Sequence, residues 1–314
     1  MDSSVCITVL NEESVIATLV NLLISQTIKP DEIIIVDGGS NDNTVEIIKH
    51  YQKKYKFIKL LKEKSNRARG RNLAVDVAKN EIIVMTDAGC IPSKYWLENI
   101  TKPFENKNID VVAGFYEMTY INNLQKAESY FLGVLPNKYS IRFLPSTRSI
   151  AFTKVIWERV GGFSEHLDQA AEDTMFNYKL IKNNTKFARV KNATVEWGMP
   201  KTLKEYFLKI HTYAKSDVQT NIWFFPGKGL TSHNIKSLFV LLRYLFFLTL
   251  LVLIINNLLS PFYLFFLLFL YIIYSFRKVY LAFGEIETAF YGTFLQFVND
   301  FAVMTGFISG LVKK

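Results

Sequence analysis

Cysteine is nearly absent from this 314-residue chain. The two thiols, Cys6 and Cys90, fall in or beside expected strands, with neither metal-ligand spacing nor a disulfide framework, which fits a reducing compartment. No G-x-G-x-x-G follows the first expected strand, which excludes a dinucleotide-binding Rossmann enzyme. Zinc-finger and RRM-like patterns are missing, and aromatic residues are only weakly interleaved with basic ones, so nucleic acid is not an expected partner. No internal repeat is evident. Met1-Asp2-Ser3-Ser4 runs straight into a strand without a signal-peptide pattern, so the N-terminal part is expected on the cytosolic side.

Apolar residues make up 50% of the chain and the net charge is +9. Lysines crowd the stretch from Lys49 to Lys64, followed by Arg67, Arg69 and Arg71. Such a surface suits a polyanion, whether nucleic acid, anionic lipid headgroups or a diphosphate, although the lysines alone also fit a solvated helix face. Hydrophobicity is concentrated at residues 238–276, whereas 1–230 has an ordinary α/β composition. Leu238–Ile255 is eighteen residues with Arg243 as the one charge, and Leu258–Phe276 is nineteen with none. Each run is long enough to cross hydrocarbon, and Asn256-Asn257 between them makes a helical hairpin. Lys228 and Lys236 precede it and Arg277-Lys278 follow, which sets both ends on the cytosolic side. The stretch 290–312 is apolar but carries Gln296, Asn299 and Asp300 at helical spacing. It reads as a third span or an interfacial helix, with the terminal Lys313-Lys314 favouring the latter.

The first hundred residues alternate as βαβ units. Val5–Leu10, Glu32–Asp37, Phe57–Leu61 and Glu81–Thr86 are apolar, β-branched runs separated by helical patterns, which predicts a mainly parallel sheet covered on both faces. Ligands of such sheets bind at the carboxyl ends of strands. Those ends here are Asn11-Glu12, Asp37-Gly38-Gly39 and Asp87-Ala88-Gly89. Further on, Val111–Met118 and Ser149–Phe152 read as strands, and a helix begins near Glu172. Glu172 and Asp173 then lie in its first turn, where the helix dipole favours carboxylates.

Four segments, ITVLNEE, QTIKPDEIIIVDGGSNDNT, RARGRNLAVDVAKNEIIVMTDAGC and GGFSEHLDQAAEDT, resemble the family 2 glycosyltransferases of GT-A fold, in the family's order and approximate spacing over roughly residues 4–215. The resemblance implies an α/β GT-A-type nucleotide-diphospho-sugar transferase domain at 1–230, followed by a membrane-associated helical region at 231–314. It also implies a nucleotide-diphosphate sugar as donor, with uridine preferred. A sugar nucleotidyltransferase of related fold would need a glycine- and arginine-rich phosphate loop near the N-terminus, and ITVLNEESV has none.

A nucleotide sugar requires acceptors for base and ribose, a counter-charge for the diphosphate and a base for the incoming hydroxyl. Asp37, ending the second strand, can accept from a base N–H, the role the family implies for it. Glu12 can accept from ribose or base, and Arg67 resembles the family position lying against the base or diphosphate. Arg69 and Arg71 are neighbours whose roles the pattern does not separate. Asp87 opens the counterpart of the family's DxD motif, whose carboxylates hold a divalent cation, Mn²⁺ or Mg²⁺, on the diphosphate. Gly89 stands where the second carboxylate is usual, which weakens that site. Asp173 is the candidate catalytic base of an inverting, single-displacement transfer, and Glu172 orients the loop or binds acceptor. Trp197 is either a core residue or an acceptor-stacking aromatic, and Tyr206–Lys215 falls where family members close over the donor. The Q/R-x-x-R-W signature of processive synthases is missing.

The expectation is therefore an inverting transferase acting on a lipid-linked or glycan acceptor, in polysaccharide or glycolipid synthesis, multi-pass in the cell membrane with a cytosolic catalytic domain. A catalytically inactive membrane scaffold retaining the nucleotide-binding fold is the alternative, and the presence together of Asp37, Asp87 and Asp173 argues against it.

Overall fold

The computed structural model describes residues 2–167, 170–224 and 232–312. Lys228, Lys313, Lys314, the expected boundary at 230/231, and Asp168 and Gln169 of the fourth family-like segment lie outside the described residues. In chain order the elements begin β1 (Ser3–Val9), α1 (Ile16–Ile24), β2 (Glu32–Asp37), α2 (Thr44–Lys54), β3 (Ile58–Lys62), α3 (Arg67–Asp76) and β4 (Ile82–Met85). They continue β5 (Cys90–Pro92), α4 (Trp96–Thr101), β6 (Val111–Thr119), α5 (Asn123–Leu132), β7 (Ile150–Thr153), α6 (Lys154–Arg159), α7 (Glu172–Lys182) and β8 (Phe187–Gly198). Helices α8 (Leu203–Thr220), α9 (His233–Ile255), α10 (Pro261–Phe283) and α11 (Ile286–Val312) complete the chain. Two compact units result. The first comprises the described residues to 118 and from 136 to 198, and the second residues 119–135, 199–224 and 232–312.

The first unit is an eight-stranded sheet in the order β3-β2-β1-β4-β7-β6-β8-β5. Strands β3, β2, β1 and β4 are parallel, in register Val9↔Asp37, Asp37↔Lys62 and Cys6↔Met85. The Ile/Val residues of β1, β2 and β4 are buried, as a sheet covered on both faces demands, whereas β3 at the edge is largely half-buried. The pairings β4–β7, β6–β7 and β5–β8 are antiparallel, so the sheet is mixed. Composition does not encode strand direction, and the short β5 and the half-buried β8 lack the apolar run that marks the others. One face of the sheet packs Ile34, Val36, Ile83 and Met85 against Ala74 and Val75 of α3 and Phe176 and Leu180 of α7. That packing seats the N-termini of α3 and α7 close to the carboxyl edge of the parallel strands.

The second unit is helical. Tyr206 and Ile210 of α8, Ala127 of α5, and Leu295 and Ala302 of α11 form its core. Glycines allow α8 and α11 to approach closely: a Cβ at Gly306 would lie 2.3 Å from the His211 carbonyl oxygen, and one at Gly310 2.7 Å from that of Lys215. Helices α9, α10 and α11 are each long and apolar enough to cross a membrane, with mean hydropathy 2.8, 1.7 and 1.3 over their most apolar stretches. Asp300 of α11 is fully buried and joins them. It pairs with Arg243 of α9 at 2.8 Å and accepts from Tyr244 at 3.0 Å, Tyr271 of α10 at 2.5 Å and Gln296 at 2.7 Å. Gln296 in turn accepts from Lys278. Gln296 and Asp300 of α11 are thus turned toward neighbouring helices.

Replacing Gly306 with Val places methyl groups against the α8 backbone. The expected outcome is a lower melting temperature of the detergent-purified protein, with Gly310→Val acting in the same direction. A melting temperature equal to wild type for both variants would contradict the close approach.

Candidate active site

The carboxyl ends of β1, β2 and β4 open onto loops that are tied to one another. After β1, Asn11 takes a left-handed conformation (φ 56°), and its side chain accepts from the Asn41 N–H at 2.9 Å. The Glu12 N–H donates to Thr44 Oγ1 at 2.7 Å, and Glu13 accepts from the Asn43 N–H at 2.9 Å. These bonds fix the β1 loop against the first turn of α2. Asp37 is buried at the end of β2, and its carboxylate accepts from the N–H groups of Gly39 and Ser40 at 3.2 Å. Gly39 sits at φ 107°, which a side chain would oppose.

Helix α3 begins where Asn66 caps the Arg69 N–H at 2.9 Å. Arg67 and Arg71 are four residues apart and share a helix face. Arg71 is buried and reaches two acids at once: Asp87 Oδ1 at 2.8 Å and Glu172, with which it forms a tight ion pair. Arg67 is exposed, with Nη1 4.0 Å from Glu172 Oε1. Arg69 points elsewhere, to Glu63 and Glu165 at 3.4 Å each. The geometry thus separates Arg69 from Arg71, which the sequence pattern left equivalent.

Glu172 and Asp173 open α7 after Ala171, which adopts φ 67°. Glu172 is buried beside Arg71, whereas Asp173 is half-buried and accepts from the Thr174 N–H at 2.7 Å. Burial, reinforced by the Glu172 charge and opposed by Arg148 and Arg71, pushes the Asp173 carboxyl up to about 6. Burial also works against the charged form of Asp87, but Arg71, Arg148 and Arg67 outweigh it and hold that carboxyl below its usual range. Glu12 is raised, chiefly by burial and by Asp87, against the pull of Arg67. Two neighbouring acids therefore have opposite tendencies: Asp87 stays ionised, while Asp173 sits near the pH range in which a proton acceptor operates.

Glu12, Arg67, Arg71, Asp87, Glu172 and Asp173 consequently form one connected charge cluster. Asp37 lies at the same sheet edge, two strands from β4, roughly 10 Å by strand spacing. Trp197 is buried on β8 opposite Cys90, edge-on to Tyr116 at 5.9 Å, with the Arg148 guanidinium 3.8 Å over its ring. Arg148 escaped the sequence reading because it stands alone in Ser-Thr-Arg-Ser, a segment with no periodicity. The i, i+4 spacing of Arg67 and Arg71 was a signal that could have marked Arg71.

Among the described residues, no group of three His, Cys, Asp or Glu side chains is placed to hold a metal ion. Asp87 is the carboxylate available for one, with Oδ1 engaged by Arg71 and the side chain 32% exposed. A Cβ at Gly89 would meet nothing within 4 Å, so a second carboxylate is missing for no steric reason. One carboxylate fits a cation that arrives on a diphosphate and keeps part of its water shell, since Mg²⁺ sites commonly combine one or two carboxylates with substrate phosphates.

A mixed sheet with acids and arginines gathered at its parallel carboxyl edge defines the GT-A class of nucleotide-diphospho-sugar-binding fold. Residues 4–166 match the sequence profile described as Glycosyl transferase family 2, and the chain belongs to that family. It is 30% identical to glycosyltransferase AglE of Haloferax volcanii, over 52% of this chain and 56% of that protein. An uncharacterised glycosyltransferase of Methanocaldococcus jannaschii is 27% identical over 70% of this chain and 81% of its own length. The first two curated relatives are matched over about half of their length or less, 56% and 38%. Among solved structures, the mannosyltransferase PcManGT of Pyrobaculum calidifontis, in complex with GDP-Man and Mn²⁺, aligns with TM-score 0.54 and 22% identity over 69% of this chain and 62% of that one. TarS 1–349 of S. aureus with UDP aligns with TM-score 0.51 and 20% identity over 71% and 67%. These structural likenesses establish the fold.

Replacing Arg71 with Met leaves Glu172 buried without its cation, at an expected cost of about 3–5 kcal/mol. The double variant Arg71→Met/Glu172→Leu is expected to recover a large part of that loss. Chemical denaturation measures both, and additive losses would contradict the pairing.

Proposed function

We propose that the protein is an inverting glycosyltransferase, moving one sugar from a nucleotide-diphosphate donor to a hydroxyl of a lipid-linked or glycan acceptor at the cytosolic face of a membrane. The observation that carries this reading is the single charge cluster in which Arg71 joins Asp87 to the Glu172-Asp173 turn. Membership of family 2 and the nucleotide sugars in the names of the fold neighbours, GDP-Man and UDP-GlcNAc, support it. Uridine donors are favoured by the family resemblance.

Each residue has a role in a single in-line displacement. Asp37 and Glu12 accept hydrogen bonds from base and ribose. Arg67, exposed at the start of α3, faces the donor as a cation. Asp173 takes the proton of the acceptor hydroxyl while its oxygen bonds to the anomeric carbon and the diphosphate leaves with the electron pair. Arg71 and Glu172 keep that carboxylate in position, and Trp197 lies on the acceptor side. A divalent cation held by Asp87 supplies charge neutralisation of the diphosphate when bound; PcManGT was solved with Mn²⁺.

In this reading residues 1–230 are the transferase domain and 231–314 the membrane region. Helices α9 and α10 form the spanning hairpin, with Lys236 and Arg277 near its cytosolic ends. Helix α11, 39% buried over its most apolar stretch and packed on the charged helices α5 and α8, is read as the interfacial helix.

Incubation with a panel of radiolabelled nucleotide sugars and membrane lipid extract should move one label into lipid or polymer; no transfer from any donor would remove the proposal. Asp173→Asn is expected to abolish turnover while calorimetric nucleotide binding persists. Because the base acts only as a carboxylate, the wild-type rate should fall as pH drops through about 6, and a flat profile down to about pH 5 would exclude that assignment. Activity should collapse in EDTA and return with Mn²⁺ or Mg²⁺; full activity in chelator would contradict the cation.

A further inference from the structure

The roles assigned above leave unused one further cation that acts on this cluster, Arg148. It immediately precedes Ser149 and β7, which runs antiparallel to β4 in register Met85↔Ile150 and Val84↔Ala151. Continuing that register two residues beyond the pairing sets Arg148 opposite Asp87. Its charge acts on both acids against burial: it helps hold Asp87 below its usual range and opposes the rise of Asp173. The guanidinium lies 3.8 Å over the Trp197 ring and 5.3 Å from that of Tyr116, and Nη1 donates to Ser146 Oγ at 3.3 Å. Stacking on aromatic faces fixes the plane of an arginine and confines its hydrogen bonding to the edge, the geometry that suits phosphate oxygens.

The same edge of the sheet is one carboxylate short. With Gly89 after Asp87, a cation on the donor has one protein carboxylate to hold it, and a fixed cation on the protein can meet more of the diphosphate charge directly. We propose that Arg148 is a donor-binding residue that contacts the diphosphate and stabilises it as it departs. This rests on the transferase reading above and specifies how its leaving group is handled. As the acceptor oxygen bonds to the anomeric carbon, the bond from that carbon to the diphosphate oxygen breaks. The electron pair stays on the diphosphate, where Arg148 meets it, and the hydroxyl proton passes to Asp173. Trp197, assigned to the acceptor side above, is in addition the platform that keeps the plane of Arg148.

The test compares nucleoside diphosphate with monophosphate on the full chain in detergent, by calorimetry, with UDP against UMP and GDP against GMP. Wild type is expected to prefer the diphosphate of one pair. Arg148→Gln should weaken diphosphate binding about tenfold or more, the scale of a charge-assisted contact, and leave the monophosphate within about twofold. The loss should be larger in EDTA than with Mn²⁺. Arg148→Lys, which keeps the charge without the planar fork, should fall between the two, and it carries the comparison if the Gln variant melts early. Equal weakening of both nucleotides would mark Arg148 as structural, and unchanged diphosphate affinity would remove it from the donor site; either result overturns the proposal. If wild type binds neither diphosphate, the donor reading fails first and this proposal with it, whereas wild-type binding with an insensitive Arg148→Gln leaves that reading intact.

Discussion

The candidate site is organised around one buried guanidinium. Arg71 lies between Asp87 at the end of β4 and Glu172 at the start of α7, elements 85 residues apart in the chain. A buried cation with two acids is costly to separate and tolerant of little displacement. It therefore sets the position of the turn that carries Asp173 relative to the strand that carries Asp87. The electrostatics follow: Arg71 and its neighbouring arginines keep Asp87 ionised against burial, while burial and then the Glu172 charge raise Asp173 against Arg148 and Arg71.

The sheet serves this pair by aligning strand ends. Parallel β2, β1 and β4 deliver Asp37, Glu12 and Asp87 to one edge, and the bonds between the β1 loop and the start of α2 keep that edge closed. Antiparallel β7 then returns along β4 and carries Arg148 to the same edge. A mixed sheet is thereby useful in itself: the reversal at β7 brings a residue from a different part of the chain to the end of a parallel strand.

The helical unit is held by a different balance. Small residues let α11 approach α8, and Asp300 collects Arg243 and Tyr244 of α9 and Tyr271 of α10 around one carboxylate. Such a polar network links helices whose apolar side chains alone express little preference among partners.

Much of this was legible in the chain of letters. Periodicity and β-branched runs located six strands to within a residue or two, because burial on both faces demands continuous apolar side chains. Long apolar runs, one with Arg243 as its single charge and one with none, located helices α9 and α10. The family-like segments named Glu12, Asp37, Asp87 and Asp173 as site candidates, since chemistry at strand ends requires particular side chains at particular spacings. Only the tertiary structure decided which of Arg67, Arg69 and Arg71 turns inward, since that depends on the seating of α3 against the sheet. Strand directions, the pairing of β5 with β8, the burial of Glu172 and the placement of Arg148 beside Asp87 likewise followed from the fold. Each is a contact between residues far apart in sequence, and no local pattern records such a contact.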